Sequence, residues 1–595
     1  MRKILFSVCT ETLCLMRKVQ FRGLHSDKKQ GRDEQFGRKH NEKIGVFLQL
    51  LFFLFLLIQT SVLSFSQEVY QNVCNTNIYE FVDELSNCGV ISINSVIKPY
   101  SRIFIAKKLK EASEKIQQLN KRQKDELQFY LKDYNKELSG FETTDFFAKN
   151  LISKKKGILN KRIDLFYYKD SLTTITINPI FGINYFSNEN GTNYHRWNGA
   201  EASAYIGKNW GFYASLRDNY ESELFAKSTY LIQQTGGCIK LNSKGGGDYE
   251  EMKGGVTYSW KWGSIGLVKD NLTWGNNYNG ANIISSKAPS FPFLKLHLNP
   301  VKWFDFNYIH GWLVSRVIDS LRTYSYSYGS RIIYREKYIA ANMFTFTPFK
   351  KLNISFGNSV IYSDIGIQPG YLIPIMFFKA VDHSQNGMNN DAGQNAQMFF
   401  DISSRQIKHV HLYSSVYIDE LNKANMFDKQ KQSNFISFKC GFSVSDYPFR
   451  NITIISEYTR TNPITYKHFI PTTTYESNLY TLGNYLKDNS DEWFVCLKYK
   501  PMRGLHIDIS YLFARKGPDY PYTGIGSSGL GMPFMDSIEW YKKNLSIQAS
   551  YEVFNDIFLF AAYSNSLIKD DLKIYTPKYF QGNTNTINVG MNWGF

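Results

Sequence analysis

Long apolar runs are nearly absent from this 595-residue chain, whose mean hydropathy is −0.33. Only residues 44–65 are long and apolar enough to suggest a spanning helix, so the body of the chain contains no further candidate. Lysines precede this run, and Ser64 and Ser66 stand at positions −3 and −1 of a cleavage site. The pattern predicts a signal peptide over residues 1–66, with an atypical N-terminal extension, and a mature protein that begins at Gln67. An uncleaved anchor and a misplaced start codon are the alternatives.

Cysteines are also few, seven in the whole chain. The five that follow the predicted signal peptide are Cys74, Cys88, Cys238, Cys440 and Cys496. Their odd number, their scatter and the lack of a CxxC spacing exclude a disulfide framework and a zinc site of that kind. A single bridge between Cys74 and Cys88 in an oxidising periplasm stays open.

Acidic residues are outnumbered, 52 Asp and Glu against 69 Lys and Arg, which gives a formal charge of +17. Residues 1–66 hold eleven basic and five acidic residues, so the mature chain keeps about +11. A basic surface attracts acidic partners. For an exported protein, nucleic acid is the least suitable of these, which leaves lipopolysaccharide phosphates and uronic-acid polysaccharides.

Aromatic residues, in contrast, make up 16% of the chain. A polar average with many aromatics is typical of membrane β-barrels, in which lipid-facing residues alternate with polar lumen residues. The chain alternates in this way from about residue 166 onwards, most clearly at Leu545, Ile547, Ala549, Tyr551 and Val553. A soluble β-sandwich would show the same period.

The C-terminus favours the barrel. Its last apolar residues share one strand face, and they are Ile587, Val589, Met591, Trp593 and Phe595. A final strand that stops on phenylalanine resembles the insertion signal of bacterial outer-membrane proteins, so Trp593 and Phe595 are the predicted signal residues. About 430 residues at roughly 24 per strand and connection predict an antiparallel transmembrane barrel of about 18 strands over residues 166–595.

The segment before the barrel has the period of helices. Residues 67–140 are predicted to form three short helices, which begin near Thr76, Ser101 and Asn120, with Gln123 at a capping-box position. Each helix has one apolar face that must be covered, and the barrel mouth is the nearest cover. The fold class is therefore an all-β membrane protein with a small helical periplasmic or plug module, joined by a linker over residues 141–165.

Catalytic patterns are weak. Residues 524–529 match GxGxxG, but prolines precede them and no helix pattern follows, which indicates a loop. His409 and His411 would share a strand face, yet a third metal ligand is not visible. Acidic pairs such as Asp419 with Glu420 would point to opposite strand faces and suit solvated loop starts. The sequence thus predicts neither an enzyme nor a cofactor or metal site.

The densest polar and aromatic segment is residues 270–282. Rings stack on sugars and asparagine amides bond hydroxyls, so the predicted ligand-binding residues are Trp274, Asn276, Asn277 and Tyr278. A Gly and Asn-rich turn is the alternative, and composition does not choose between them. Arg316 and Arg460 are second candidates, because a sugar carboxylate pairs with a guanidinium at a strand end.

The order of these features resembles the Wzi family of outer-membrane capsule assembly proteins, in the longer form found in Bacteroidetes. The segments that carry the resemblance span the mature chain, and they are residues 77–138, 272–286, 288–292, 412–420, 457–463 and 515–517. It implies a barrel plugged by the N-terminal helices that holds exported capsular polysaccharide on the cell without enzymatic activity.

The expected location is the cell outer membrane, with the helical module on the periplasmic side. The expected partners are acidic surface polysaccharide, outer-membrane lipid and lipopolysaccharide, and the barrel assembly machinery. A porin or transporter is the alternative, which an open lumen would favour. A barrel lipid hydrolase is a third possibility, and it requires a Ser–His pair that faces lipid at the outer rim.

Overall fold

The computed structural model describes residues 67–138, 148–150, 162–243, 245–387, 393–421, 423, 434–522 and 532–594. The predicted signal peptide, the GxGxxG match at residues 524–529 and Phe595 lie outside these ranges. Among the described residues, no helix has the length and apolar character needed to cross a membrane.

The three predicted N-terminal helices are present as α1 (Thr76–Asn87), α2 (Arg102–Glu114) and α3 (Lys121–Leu138). Ser101 caps α2, since its hydroxyl accepts a backbone N–H at 3.3 Å. Asn120 and Gln123 form the predicted capping box, with reciprocal bonds of 3.0 and 2.9 Å. The N-cap of α1 is Asn75, one residue before the predicted Thr76, which is already helical. The side chain of Asn75 makes no capping hydrogen bond.

One buried cluster holds the helical module together. Apolar residues of all three helices meet in it, including Ile78, Phe81, Val82, Leu85, Ile105, Leu109, Leu127, Tyr130 and Tyr134. These residues recur at helical spacing, so each helix buries one apolar face. Cys74 and Cys88 are free thiols in this structure.

A closed antiparallel barrel follows, and within the described residues its wall has the predicted 18 long strands, with which the short strands Phe166–Lys169 and Lys240–Leu241 also pair. They are β1 (Thr173–Asn188), β2 (Gly191–Ile206), β3 (Trp210–Glu221), β4 (Gly247–Trp260), β5 (Gly263–Asp270), β6 (Phe291–Val301), β7 (Phe304–Leu313), β8 (Lys337–Phe349), β9 (Leu352–Ser363), β10 (Asn395–Ser404), β11 (Val410–Glu420), β12 (Phe435–Ser445), β13 (Ile452–Thr461), β14 (Ser490–Met502), β15 (Leu505–Lys516), β16 (Trp540–Phe554), β17 (Ile557–Asp570) and β18 (Gly582–Trp593). The barrel closes where β18 pairs with β1, which sets Trp593 opposite Phe181.

The strand alternation sorts side chains between lipid and lumen. Ile587, Val589 and Met591 of β18 are exposed on the outer wall, as are Leu545 and Ile547 of β16. The predicted shared face of the last strand is therefore confirmed over its described residues. Because every backbone group in a closed barrel pairs with a neighbouring strand, this architecture crosses a bilayer without unpaired edges.

The two ends of the barrel differ in their connections. At one end the strands are joined by short turns, such as residues 302–303 and 503–504. At the other end lie long connections, such as residues 222–246, 314–336 and 462–489. We call them the short-turn end and the long-loop end.

The helical module occupies the short-turn end. Asn77 and Tyr130 both donate hydrogen bonds to the Glu552 carboxylate, at 3.1 and 2.9 Å. Arg405, in the turn after β10, donates to the side-chain oxygen of Asn87 at 2.8 Å. Polar residues at several strand ends thus hold the module inside the barrel wall.

One long connection covers the outside of the barrel instead. Residues 364–387 of this connection include helix α4 (Phe378–Asn386) and pack against the outward faces of β7 to β9. The outward-facing amide of Asn342 donates to the backbone carbonyls of Pro374 and Met376, both at 2.9 Å. These bonds satisfy a polar side chain on the outer wall.

Candidate functional site

The polar and aromatic segment singled out in the sequence belongs to the connection between β5 and β6, residues 271–290. This connection folds into the lumen, where Gly275 and Gly280 turn the chain at φ values of 98° and 80°. Asn282 donates to the backbone carbonyls of Ser415 and Ser437 on the inner wall, at 3.3 and 3.2 Å. We call this connection the inner loop.

Trp274 is a packing residue of the inner loop. Its side chain is only 1% exposed, and its ring meets Phe399 edge to face with centroids 5.9 Å apart. Its backbone pairs with Ile97 of the helical module in a two-stranded ladder. A sugar that arrives from outside would find neither face of the indole accessible.

The predicted asparagines both donate hydrogen bonds to protein. Asn276 donates from its backbone and its side chain to Asp401, at 2.9 and 2.5 Å. Asn277 donates to the carbonyl of Gly275 at 2.7 Å. The Gly and Asn residues of this segment therefore form a turn that binds the inner wall.

Tyr278 also lies inside the barrel. Its backbone N–H donates to Glu457 at 2.7 Å, and its hydroxyl lies 3.0 Å from His411 Nδ1. Glu457 is buried, and it accepts a second backbone N–H, from Asn279, at 2.7 Å. Its ion pair with Lys439, at 3.3 Å, balances its charge in the lumen.

The two histidines noted in the sequence do not share a strand face. His409 lies in the turn before β11 at a φ of 72°, and its Nδ1 is 2.9 Å from the Ser445 carbonyl oxygen. His411 faces the lumen, where its Nε2 lies 2.8 Å from the Ser403 hydroxyl. This Ser–His contact is buried beneath the helical module, and it does not face lipid at the outer rim.

A second connection, residues 462–489, covers the inner loop from the long-loop end. The Tyr466 hydroxyl donates to the Asn282 carbonyl at 2.6 Å, and the Tyr475 hydroxyl donates to the Ile283 carbonyl at 3.1 Å. Both tyrosines are buried in the same cluster as Trp274. The lumen therefore holds three successive layers of protein: the helical module, the inner loop and this cover.

The cover ends in an aromatic pocket at the long-loop end, which sequence reasoning did not find. The ring of Phe469 lies 4.2 Å from that of His468 and 5.8 Å from that of Tyr522. These rings line a cavity of about 130 Å³ together with Lys467 and the carboxylate of Glu420. The pocket joins separate connections, so no local pattern could indicate it.

Charge and protonation in this aromatic pocket are set by burial and by ion pairs. Burial lowers the pKa of His468 to about 4, so its ring is neutral at pH 7. Burial also tends to lower the pKa of Lys467, but Asp488 and Asp519 raise it above its usual value. The pocket thus combines a neutral imidazole and ring faces with a cation that is already paired and with the carboxyl groups of Asp382, Asp419 and Glu420.

A tyrosine-rich hairpin projects from the connection between β7 and β8. Its strands, Tyr324–Tyr326 and Gly329–Arg331, pair so that Tyr324 lies opposite Arg331 and Tyr326 opposite Gly329. Tyr324 and Tyr326 therefore share one face with Arg331, whose Nη1 donates to the Tyr324 hydroxyl at 3.4 Å. Tyr328, at the tip, is 96% exposed. We call residues 318–334 the tyrosine hairpin; its alternating Tyr and Ser residues were visible in the sequence.

Of four arginines on this surface, two have an acidic partner and two do not. The paired ones are Arg322, which lies 2.6 Å from Asp319, and Arg335, which lies 3.2 Å from Asp364. In contrast, Arg331 and Arg316 have no carboxylate within ion-pair distance among the described residues. Arg316, a predicted site residue, stands at the base of the hairpin, with its guanidinium 5.2 Å from the centroid of Tyr334.

Arg460, the other predicted arginine, lies elsewhere. It faces outward from the long-loop end of β13, because its neighbours Thr459 and Thr461 are buried toward the lumen. Its guanidinium stacks on Phe534 at 3.7 Å from the ring centroid. The structure therefore brings Asn276, Asn277, Trp274 and Tyr278 together inside the barrel, and leaves Arg316 and Arg460 on separate outer surfaces.

Comparison with known proteins yields one matching family. The family model described as "Capsule assembly protein Wzi" matches residues 174–577. No curated protein sequence is significantly similar to the chain.

Among solved structures, one similar barrel is Wzi from Escherichia coli, described as an outer-membrane protein involved in group 1 capsule assembly and as a carbohydrate-binding barrel. It is 11% identical, with a TM-score of 0.53, over 89% of this chain and 100% of that one. OccD3 of Pseudomonas aeruginosa is 10% identical over 70% of this chain and 90% of its own, at a TM-score of 0.37. A BenF-like porin from Pseudomonas fluorescens is 11% identical over 71% of this chain and 99% of its own, at a TM-score of 0.38.

Proposed function

Because the chain belongs to the Wzi family of capsule assembly proteins, we propose that it binds exported capsular or related surface polysaccharide and anchors it to the outer membrane, without catalysing a reaction. One observation carries the proposal: the lumen is filled with protein beneath an outer surface that presents exposed tyrosines and unpaired arginines. A filled lumen suits retention of a polymer at the surface better than passage of solutes.

The orientation follows from the connections. Membrane barrels keep short turns in the periplasm and long loops outside the cell. The short-turn end, with its helical module, then faces the periplasm, and the tyrosine hairpin and the aromatic pocket face the capsule.

The tyrosine hairpin has the chemistry to hold an acidic sugar. The rings of Tyr324 and Tyr326, which are 50% and 57% exposed, offer faces for stacking on sugar rings. Arg331 on the same face pairs with a sugar carboxylate, and Arg316 adds a second cation at the base. Each stacking contact is worth on the order of 1 kcal/mol, and the repeats of a polymer multiply such weak contacts into firm attachment.

The structure changes which residues the proposal uses. Trp274 and Asn276 leave it, since both are buried and bonded to protein. Arg316 stays, since it lies on the outer surface beside the hairpin. Phe469 and Tyr522 of the aromatic pocket enter as a second contact for the same polymer.

The test compares two triple variants of the hairpin. Y324A/Y326A/R331Q removes the binding face, and S325A/S330A/S327A alters small exposed residues of the same hairpin as the matched control. We expect the first variant to shed polysaccharide into the medium, while the control keeps it on the cells at equal barrel abundance. If the face variant retains wild-type polysaccharide while a full deletion sheds it, the site lies elsewhere; if the deletion also retains it, the anchoring function is wrong.

The porin alternative is tested by conductance. Three protein layers in the lumen lead us to expect a poor conductor when the intact barrel is placed in a planar bilayer. A variant that lacks residues 67–138 serves as the comparison. Large, steady single-channel currents from the intact protein would favour the porin.

A further inference from the structure

Two regions of the outer wall carry opposite charge where the strands reach the long-loop end. On β2 to β4, the outward-facing charged residues are Arg196, Asp218, Asp248 and Glu250, and Lys240 of the short strand Lys240–Leu241 lies opposite Asp248. On β13 to β17, they are Arg460, Asp491, Arg515, Lys543 and Lys569. We call these the acidic wall and the basic wall. Cations are common at membrane interfaces in general, but a general preference does not explain why they collect on one wall and acids on another.

The basic wall lies directly above the apolar belt. Lys543 is followed on its outward face by Leu545, and Lys569 is preceded by Leu567, and both leucines are exposed to lipid. Aromatic residues occupy the same boundary. Trp493 is one of them: it is exposed on the outward face of β14, and it is the next outward-facing residue after Asp491 toward the middle of the membrane. The cations therefore stand at the level where an outer-leaflet lipid changes from acyl chain to headgroup.

Two of the cations are held close together. Arg515 and Lys543 lie over the same ring, that of Phe513, at 5.4 and 5.7 Å from its centroid. Arg460 is fixed by its stacking on Phe534 at 3.7 Å. The rings hold these side chains in place, so less side-chain entropy is lost when an anion binds between them.

Their charge is only partly neutralised. Arg515 pairs with Asp491, through a bond of 2.9 Å and a second shorter one, and Lys569 pairs with Asp571 at 3.1 Å. Arg460 and Lys543 have no carboxylate within ion-pair distance in the described ranges. The basic wall thus keeps two unpaired cations beside two paired ones, where a multiply charged anion gains most.

We propose that the basic wall binds the phosphate groups of a phosphorylated outer-leaflet glycolipid, with Arg460 and Lys543 as its principal contacts. The adjoining apolar belt receives the acyl chains of the same molecule. This site is independent of the polysaccharide surface, and it assigns Arg460 a lipid phosphate in place of a sugar carboxylate. It would fix the barrel within a patch of ordered glycolipid.

The test uses the full mature chain, refolded in detergent, and native mass spectrometry of its lipid complexes. The probes are bisphosphorylated lipid A, monophosphorylated lipid A with the same acyl chains, and inorganic phosphate. The variant is R460Q/K543Q. Its controls are R196Q on the acidic wall and R460K/K543R, which keeps both charges. Heat-modifiable migration in gels confirms that each variant is folded.

We expect the bisphosphorylated lipid to bind the wild-type barrel more tightly than the monophosphorylated one. R460Q/K543Q should bind the bisphosphorylated lipid about tenfold more weakly, because at least one charge-assisted hydrogen bond is lost. R196Q and R460K/K543R should bind it as wild type does. Equal binding by wild type and R460Q/K543Q would overturn the proposal, as would an equal loss in R196Q. Inorganic phosphate that binds as tightly as the lipid would show a free-anion site and refute the lipid assignment.

Discussion

Replacing Arg122 with alanine should destabilise the helical module by about 3 kcal/mol, near the lower end of the range for breaking a buried ion pair. Arg122 is 5% exposed and joins Glu84 of α1 to Glu126 of α3. Its removal leaves two buried carboxylates without their closest cation. The cost stays at the lower end because Glu84 keeps Lys500 at 3.2 Å and a donor bond from Gln123 at 2.8 Å.

The assay is hydrogen exchange of the α1 and α3 amides in the intact barrel. A loss of about 3 kcal/mol corresponds to protection factors that fall by roughly two orders of magnitude. The matched control is Lys108→Ala, which removes the partly exposed pair between Lys108 and Glu111 at 3.0 Å. Such a pair contributes below about 1 kcal/mol. Protection in Arg122→Ala within a few-fold of wild type, or an equal loss in Lys108→Ala, would refute the reasoning.

Three further outcomes are expected. Burial raises the pKa of Glu84, but Arg122 and Lys500 bring it down to about 2, so its contribution is present above its unfolded value near 4.5. The protection factors of the α1 amides, corrected for the intrinsic exchange rate at each pH, should therefore fall as the pH falls from about 4.5 toward 2, and protection factors that do not change with pH would contradict this sign. Trp274→Ala should destabilise the inner loop by about 3 to 5 kcal/mol, and it should reduce the amount of cell-bound polysaccharide only in proportion to the amount of barrel. A selective loss of cell-bound polysaccharide at normal barrel abundance would instead show that Trp274 contacts the polysaccharide. If the last strand carries the predicted insertion signal, deletion of Phe595 should leave the chain periplasmic and degraded; a normal heat-modifiable barrel in the membrane would argue against that signal.

The barrel could be predicted from the sequence because its defining pattern is local. Alternation places Leu545 and Ile547 on one face of a strand whatever surrounds it, and the same rule applies to Ile587 at the C-terminus. Capping is equally local, since Ser101 and the pair Asn120 with Gln123 bond the backbone within three residues. The strand number followed from length through an average of roughly 24 residues per strand and connection, although single connections range from residues 302–303 to residues 462–489.

The binding surface could not be predicted in the same way. Trp274 and Tyr278 have the composition of a sugar contact, but the same residues also suit a turn. What decides between the two is Asp401 and Glu457, which lie more than a hundred residues later and accept hydrogen bonds from this segment inside the barrel. The direction in which a long connection folds depends on the lumen volume left by the helical module and on partners from distant strands.

The sequence by itself determined the barrel, the helical module before it and the basic charge, because periodicity, caps and composition act on neighbouring residues. Only the tertiary structure decided that the inner loop fills the lumen, that the tyrosine hairpin is exposed and that Arg460 faces the lipid. These features depend on which side of the wall a residue faces and on what already occupies the space there. Such contacts are set when the barrel closes, and no local pattern records them.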